Sequence, residues 1–230
     1  MRYAETMRAR YSERLRNGGA PRDWFTIRNQ ADDERATVYL YGYIGESFWG
    51  DGTSAVDFAR ELSGITAPII DLHINSPGGL IHEGLAIYNA LRDHAARVEV
   101  KVDGLAASSA SWIAQAGDLV TMNRFAQMMI HDGLMITFGN ADDHREAADL
   151  LDRFSSNIAG IYAARAGGTA ASWRAAMKAE TWYSAEEAVA AGLADDLVTA
   201  AADEGQADNH SDRARLVTAR ARAHNLERVA

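Results

Sequence analysis

The chain has 230 residues, 47% of them hydrophobic, with no cysteine and a formal net charge of −9. This length and apolar content predict one sizeable core, and the lack of cysteine excludes a thiol nucleophile, disulfides and cysteine-based zinc sites. So acidic a balance argues against nucleic-acid binding, and with no apolar run of about 18 residues and no secretory leader the expectation is a soluble, cytoplasmic protein.

In chain order, residues 1–22 form a basic arm with six arginines against two glutamates, closed by Gly18-Gly19-Ala20-Pro21. A domain over 23–199 follows. Alternation and breaker residues predict strand 37–44, helix 54–63, strand 69–74, helix 80–94, strand 98–103, helix 108–116, strand 119–122 and strand 126–131. Asn75-Ser76-Pro77-Gly78-Gly79 reads as a turn after the second strand. Between Asp142 and Ala166, apolar residues at helical spacing (Ala147, Leu150, Leu151, Phe154, Ile158, Ile161, Tyr162) predict one long helix ended by Gly167-Gly168. Ser184-Ala185-Glu186-Glu187 is a capping box opening a short helix that Gly192 closes. Residues 200–230 are a polar linker and an arginine-rich tail. Loosely repeated strand-helix units predict an α/β fold with parallel strands covered by helices and right-handed crossovers.

The chemistry concentrates between Ile74 and His131. A serine hydroxyl is a weak nucleophile and needs an adjacent base and donors for the developing oxyanion. Ser108, Ser109 and Ser111 lie within one turn at a predicted helix start, where unpaired N–H groups favour an anion; composition alone does not choose among them. Phe125 to Ile130 reads as a buried strand delivering His131 to an Asp132-Gly133 turn. Strand ends are where sites collect in α/β sheets, and an imidazole with an ordinary pKa of about 6.5 accepts a proton at neutral pH. His73, His82, His94, His144, His210 and His224 read as structural. Taken singly, Ser-Pro-Gly-Gly is a turn and Ala-Ala-Ser-Ser is tight helix packing; their succession in one chain is the signal. There is no H-E-x-x-H, no phosphate-binding G-x-x-x-x-G-K-[ST] and no G-x-S-x-G elbow, and no cofactor is expected.

Ile74-Asn75-Ser76-Pro77-Gly78-Gly79, Gly104-Leu105-Ala106-Ala107-Ser108 and Met129-Ile130-His131, in this order, resemble the ClpP family of serine peptidases over roughly Thr37 to Val198. Glu180 to Ala188 and the aromatic strand Tyr39 to Gly45 resemble the phage head-maturation (prohead) protease branch. The resemblance implies a ClpP/crotonase-like fold with a protruding handle helix. It makes Ser108 the nucleophile, His131 the base, and the N–H groups of Gly79 and Ser109 the oxyanion hole, with substrate paired along Gly78, Leu80 and Ile81. The third member falls on Glu180, with Asp132 and Asp103 as alternatives. Implied partners are capsid or scaffold proteins and further copies of the chain, by analogy in a ring, without an obligatory ATP-driven unfoldase, in a host cytoplasm or a phage prohead. Three rival readings stand beside it. They are a Ser-Lys peptidase using Lys101 or Lys178, a crotonase-type acyl-CoA enzyme that needs no Ser108, and a catalytically inactive capsid-associated scaffold or shell protein.

Overall fold

The computed structural model describes residues 24–28, 34–45 and 53–198; the expected basic arm and arginine-rich tail lie outside them. Among the described residues the strands are β1 (Phe25–Arg28), β2 (Arg35–Ile44), β3 (Ile69–Gly79), β4 (Arg97–Ala107), β5 (Leu119–Met122), β6 (Gln127–Ile130), β7 (Thr181–Ser184) and β8 (Asp196–Leu197). The helices are α1 (Ala55–Leu62), α2 (Ile81–Asp93), α3 (Ser109–Ala114), α4 (Ala141–Ala166), α5 (Ala170–Lys178) and α6 (Ala185–Ala190).

The sheet runs β1-β2-β3-β4-β5-β8, with β6 on β4 and β7 on β6. All pairings are parallel except β1 on β2 and β7 on β6. One edge of β4 serves two partners in succession, β5 along Glu99–Val102 and β6 along Leu105–Ala107. The jog at Asn123, where Ala126 N–H donates to Asn123 C=O (2.8 Å), separates them.

Strict alternation gives the sheet two unlike faces. Val38, Leu40, Ile70, Leu72, Ile74, Val98, Val100 and Val102 are buried and join Phe58, Ile87, Leu91 and Trp112 of the helices in one core. The opposite face is polar: Arg35 bridges Asp71 and Glu99, Tyr39 stacks on His73 (5.0 Å), and Asp103 accepts from Tyr41. Parallel strands are ordinarily apolar on both sides; here, among the described residues, the core helices join one face and the other carries these polar side chains.

Two strands run further than their sequence suggests. The segment 75–79, expected as a turn, continues β3 because Tyr43 and Ile44 of β2 pair with Gly78 and Gly79 after a register shift. Strand β4 likewise passes Gly104 to Ala107, held by Ser76 on one side and β6 on the other. The capping boxes of α1, α4, α5 and α6 are formed, at Ser54, Asn140, Thr169 and Ser184. The long helix α4, about 39 Å at 1.5 Å per residue, buries Ser155, Ile158, Ala159 and Tyr162 in its second half and none of residues 141–154 in its first. It is preceded by exposed Leu134, Met135, Ile136 and Phe138. No described helix is long and apolar enough to cross a membrane.

Candidate active site

Ser108 stands between the end of β4 and the start of α3 with φ 54° and ψ −125°, a region L-residues rarely occupy and that costs about 1–3 kcal/mol. Its peptide is pinned on both sides. Ser108 N–H donates to Met129 C=O (3.0 Å), and its own C=O accepts from Ser111 N–H (2.9 Å) and Ser111 Oγ (2.6 Å). This geometry separates the three neighbouring hydroxyls. Ser109 is fully buried, with its Oγ lacking a partner among the described residues, and the buried Ser111 hydroxyl is used internally. Ser108 Oγ lies 2.7 Å from His131 Nε2.

His131 follows β6 directly, as the strand pattern suggests. Burial pushes its pKa below the ordinary imidazole value, while the charges of Glu180 and Asp132 pull the other way. The ring is therefore neutral at neutral pH, and with its proton on Nδ1 it accepts from Ser108.

Three carboxylates are candidates to orient it. Strand β6 pairs antiparallel with β7 from Gln127↔Ser184 to Ile130↔Thr181, so Glu180 and His131 each lie one residue beyond the end of that ladder, and the Glu180 charge bears on the imidazole. Glu180 has φ 53°, and its N–H donates to Met177 C=O (3.0 Å). Asp132 is turned to Arg174, which donates from Nε (2.6 Å) and Nη2 (3.0 Å). Asp103 is engaged by His73 Nδ1 (2.8 Å) and Tyr41 OH (2.6 Å) on the polar sheet face. Burial alone would push the Asp103 acid up, but these hydrogen bonds prevail and hold it low. Of the rival lysines, Lys101 lies on β4, where its charge bears on Asp103, and Lys178 lies in the last turn of α5, where its charge bears on Asp152.

The glycine segment packs against the serine turn. A Cβ at Gly78, whose φ is +88°, would fall 2.6 Å from Ala107 O, 2.7 Å from Ser108 Cβ and 2.8 Å from Ser109 N. One at Gly79 would fall 1.9 Å from Ile44 O. Ser76 Oγ ties the segment down, donating to Gly42 C=O (2.5 Å) and accepting from Gly78 N–H (3.0 Å). Gly79 pairs with Ile44 in a parallel ladder in which Leu80 N–H donates to Ile44 C=O (3.0 Å). That pattern turns Gly79's own N–H away from β2, to the side where Ser108 stands. At Leu80 the N–H serves Ile44 and the C=O accepts from Gly84 N–H (2.9 Å). Ile81 opens α2, where first-turn N–H groups lack helical partners.

Sequence reasoning missed Arg174, whose guanidinium ties Asp132 to Asp152 and to Ser156 of α4. The Thr169 cap after Gly167-Gly168 was a legible sign of the helix carrying it. Tyr162 read as ordinary core; nothing in its spacing signals that its hydroxyl meets Ser111.

A family model described as Clp protease matches residues 53–201. An ATP-dependent Clp protease proteolytic subunit of Pleurastrum terricola is 32% identical over 126 residues, 54% of this chain and 64% of that one. An ATP-dependent Clp protease proteolytic subunit 3 of Streptomyces coelicolor is 32% identical over 138 residues, 58% of this chain and 63% of that one. The chain thus spans less than two thirds of the length of these relatives. The family match runs from just before α1 to beyond β8 and takes in the serine turn, the histidine and the β7 edge together: the chain belongs to the Clp protease family.

Proposed function

We propose that the chain is a serine endopeptidase working through an acyl-enzyme, with Ser108 as nucleophile, His131 as base and Glu180 orienting the imidazole. The observation that carries the reading is the 2.7 Å contact between Ser108 Oγ and His131 Nε2 on a strained turn. The proteolytic subunits to which the chain is similar support the same reaction class.

An extended peptide lies beside the glycine segment, pairing with the outward backbone of Gly79, before the first turn of α2 at Ile81. Ser108 Oγ attacks the scissile carbonyl as its proton passes to His131 Nε2, and the oxyanion is held by the N–H groups of Gly79 and Ser109. Collapse breaks the C–N bond, with His131 giving its proton to the leaving amine. Water, deprotonated by His131, then attacks the ester, and the acid product leaves as Ser108 recovers its proton. A carboxylate opposite the imidazole stabilises its cationic form through both half-reactions.

The substrates are capsid or scaffold proteins cut during phage head assembly, without obligatory coupling to an ATPase. This rests on the likeness of Tyr39–Gly45 and Glu180–Ala188 to prohead proteases. Copies of the chain associate through α4 and the apolar segment Leu134–Phe138, which leave large apolar side chains exposed. The test is incubation with purified phage capsid and scaffold proteins: wild type is expected to trim them, and Ser108→Ala is expected to assemble with them without cutting. Normal trimming by Ser108→Ala would contradict the mechanism, while cleavage of unrelated unfolded proteins but not of capsid protein would contradict the substrate class alone.

A further inference from the structure

The strained backbone of Ser108 needs something to hold it, and the hydrogen bonds at its carbonyl show what does. Ser111 sends both its backbone N–H (2.9 Å) and its hydroxyl (2.6 Å) to Ser108 C=O. The same hydroxyl oxygen lies 2.6 Å from the Tyr162 hydroxyl. A serine has one O–H to give, and Ser111 gives it to Ser108, so Tyr162 is the donor between the two. The result is a directed chain, Tyr162 O–H to Ser111 Oγ–H to Ser108 C=O, in which each bond polarises the next. Both Ser111 and Tyr162 are fully buried, and burial pushes the Tyr162 acid upward, so it remains a donor throughout the working range. Gln115 Nε2 donates to Ser111 C=O (2.9 Å), fixing the same turn of α3 from the other side.

We propose that Ser111 and Tyr162 are positioning residues for the nucleophile: acting in series, they hold the Ser108 carbonyl and so fix the dihedrals that bring Oγ within reach of His131. The inference rests on the peptidase reading of Ser108. Neither residue touches substrate. Because Tyr162 lies in the buried half of α4, the helix whose other half is exposed, this chain is also a direct link between α4 and the nucleophile.

The two act through one hydroxyl, and that makes the claim measurable. In the full-length protein, the rate of labelling by a fluorophosphonate probe is compared at a temperature where circular dichroism shows each variant folded. Ser111→Ala is expected to label on the order of 10-fold slower, since a misplacement well below 1 Å already costs a large factor. Tyr162→Phe should slow labelling by a smaller factor. The double variant should be no slower than Ser111→Ala, because removing Tyr162 matters only through Ser111. Ser111→Thr, which keeps the hydroxyl, should recover to within about twofold of wild type, and the acid limb of the rate profile should not move in any variant.

Labelling of Ser111→Ala at the wild-type rate, or effects of the two single changes that multiply, would overturn the proposal. If Ser111→Ala does not fold, Tyr162→Phe decides it, with an unchanged rate counting against. Absence of labelling in the wild type would strike the peptidase reading instead. The crystal structure of Ser111→Ala or Tyr162→Phe then carries the inference without activity: Ser108 unmoved in dihedral and in distance to His131 contradicts it, and relaxation of its positive φ supports it.

Discussion

Thr181 pairs with Ile130 at the end of the antiparallel β6–β7 ladder, so Glu180 and His131 each lie one residue beyond that end, where the Glu180 charge bears on His131. Strand β7, late in the domain, thus ends beside the strand that carries His131. Asp132, though adjacent to His131 in sequence, is turned to Arg174. Glu180→Gln is expected to lower kcat/KM on the order of 10-fold or more at neutral pH with little change in thermal stability. Asp132→Asn is expected to do the reverse, weakening the Arg174 contact by about 1–2 kcal/mol in a denaturant titration while leaving most of the activity. Equal activity losses in the two variants would remove the distinction.

The pH profile should carry the sign of His131's surroundings. Burial lowers its pKa, so the acid limb of kcat/KM should have its midpoint below the ordinary imidazole value of about 6.5. Glu180's charge pulls that pKa up, so Glu180→Gln should move the limb to lower pH still. The stability linkage has the same direction. The unfolded chain takes up a proton that folded His131 resists, so its contribution is full above about pH 6.5 and is lost as pH falls through the folded value. A limb that moves upward in Glu180→Gln would contradict the assignment.

Backbone strain at Ser108 separates two inactive variants. Ser108→Ala and Ser108→Gly both lose the hydroxyl, but alanine retains the penalty at φ 54° and glycine does not. Glycine is expected to be the more stable of the two by about 1–2 kcal/mol. Chemical denaturation of the pair measures it, and equal midpoints would mean the turn relaxes freely.

The fit of the glycine segment against the serine turn predicts its intolerance. Gly78→Ala must accommodate a Cβ 2.6 Å from Ala107 O at positive φ. It is expected to lose about 2–4 kcal/mol and to slow labelling of Ser108 far more than its residual fold content accounts for. A folded Gly78→Ala protein with wild-type labelling would show that the close approach is unimportant.

Much of this arrangement is legible in the sequence because it is local. Ile70, Leu72 and Ile74 alternate, Val98, Val100 and Val102 alternate, and the long stripe ending at Tyr162 has helical spacing, so the strands and helices that carry the site announce themselves. His131 at the end of its strand is legible for the same reason. The extension of β3 through Ser76-Pro77-Gly78-Gly79 is not, because proline and paired glycines read as a turn unless one knows that Tyr43 and Ile44 lie alongside. Choice among Ser108, Ser109 and Ser111 is likewise closed to spacing; it depends on which hydroxyl the fold buries and which it turns to His131. Helix α5 and strand β7 are short, alanine-rich or half-exposed, and their placement comes from packing and from pairing with β6 rather than from periodicity.

Reaction of the protein with a fluorophosphonate probe, followed by peptide mapping of the modified residue, tests the assignment of Ser108 most directly. A single modification at Ser108, lost in His131→Ala and retained in Lys101→Ala and Lys178→Ala, is the expected result. Modification at Ser109 or Ser111, persistence of labelling without His131, or no modification at all would contradict the assignment.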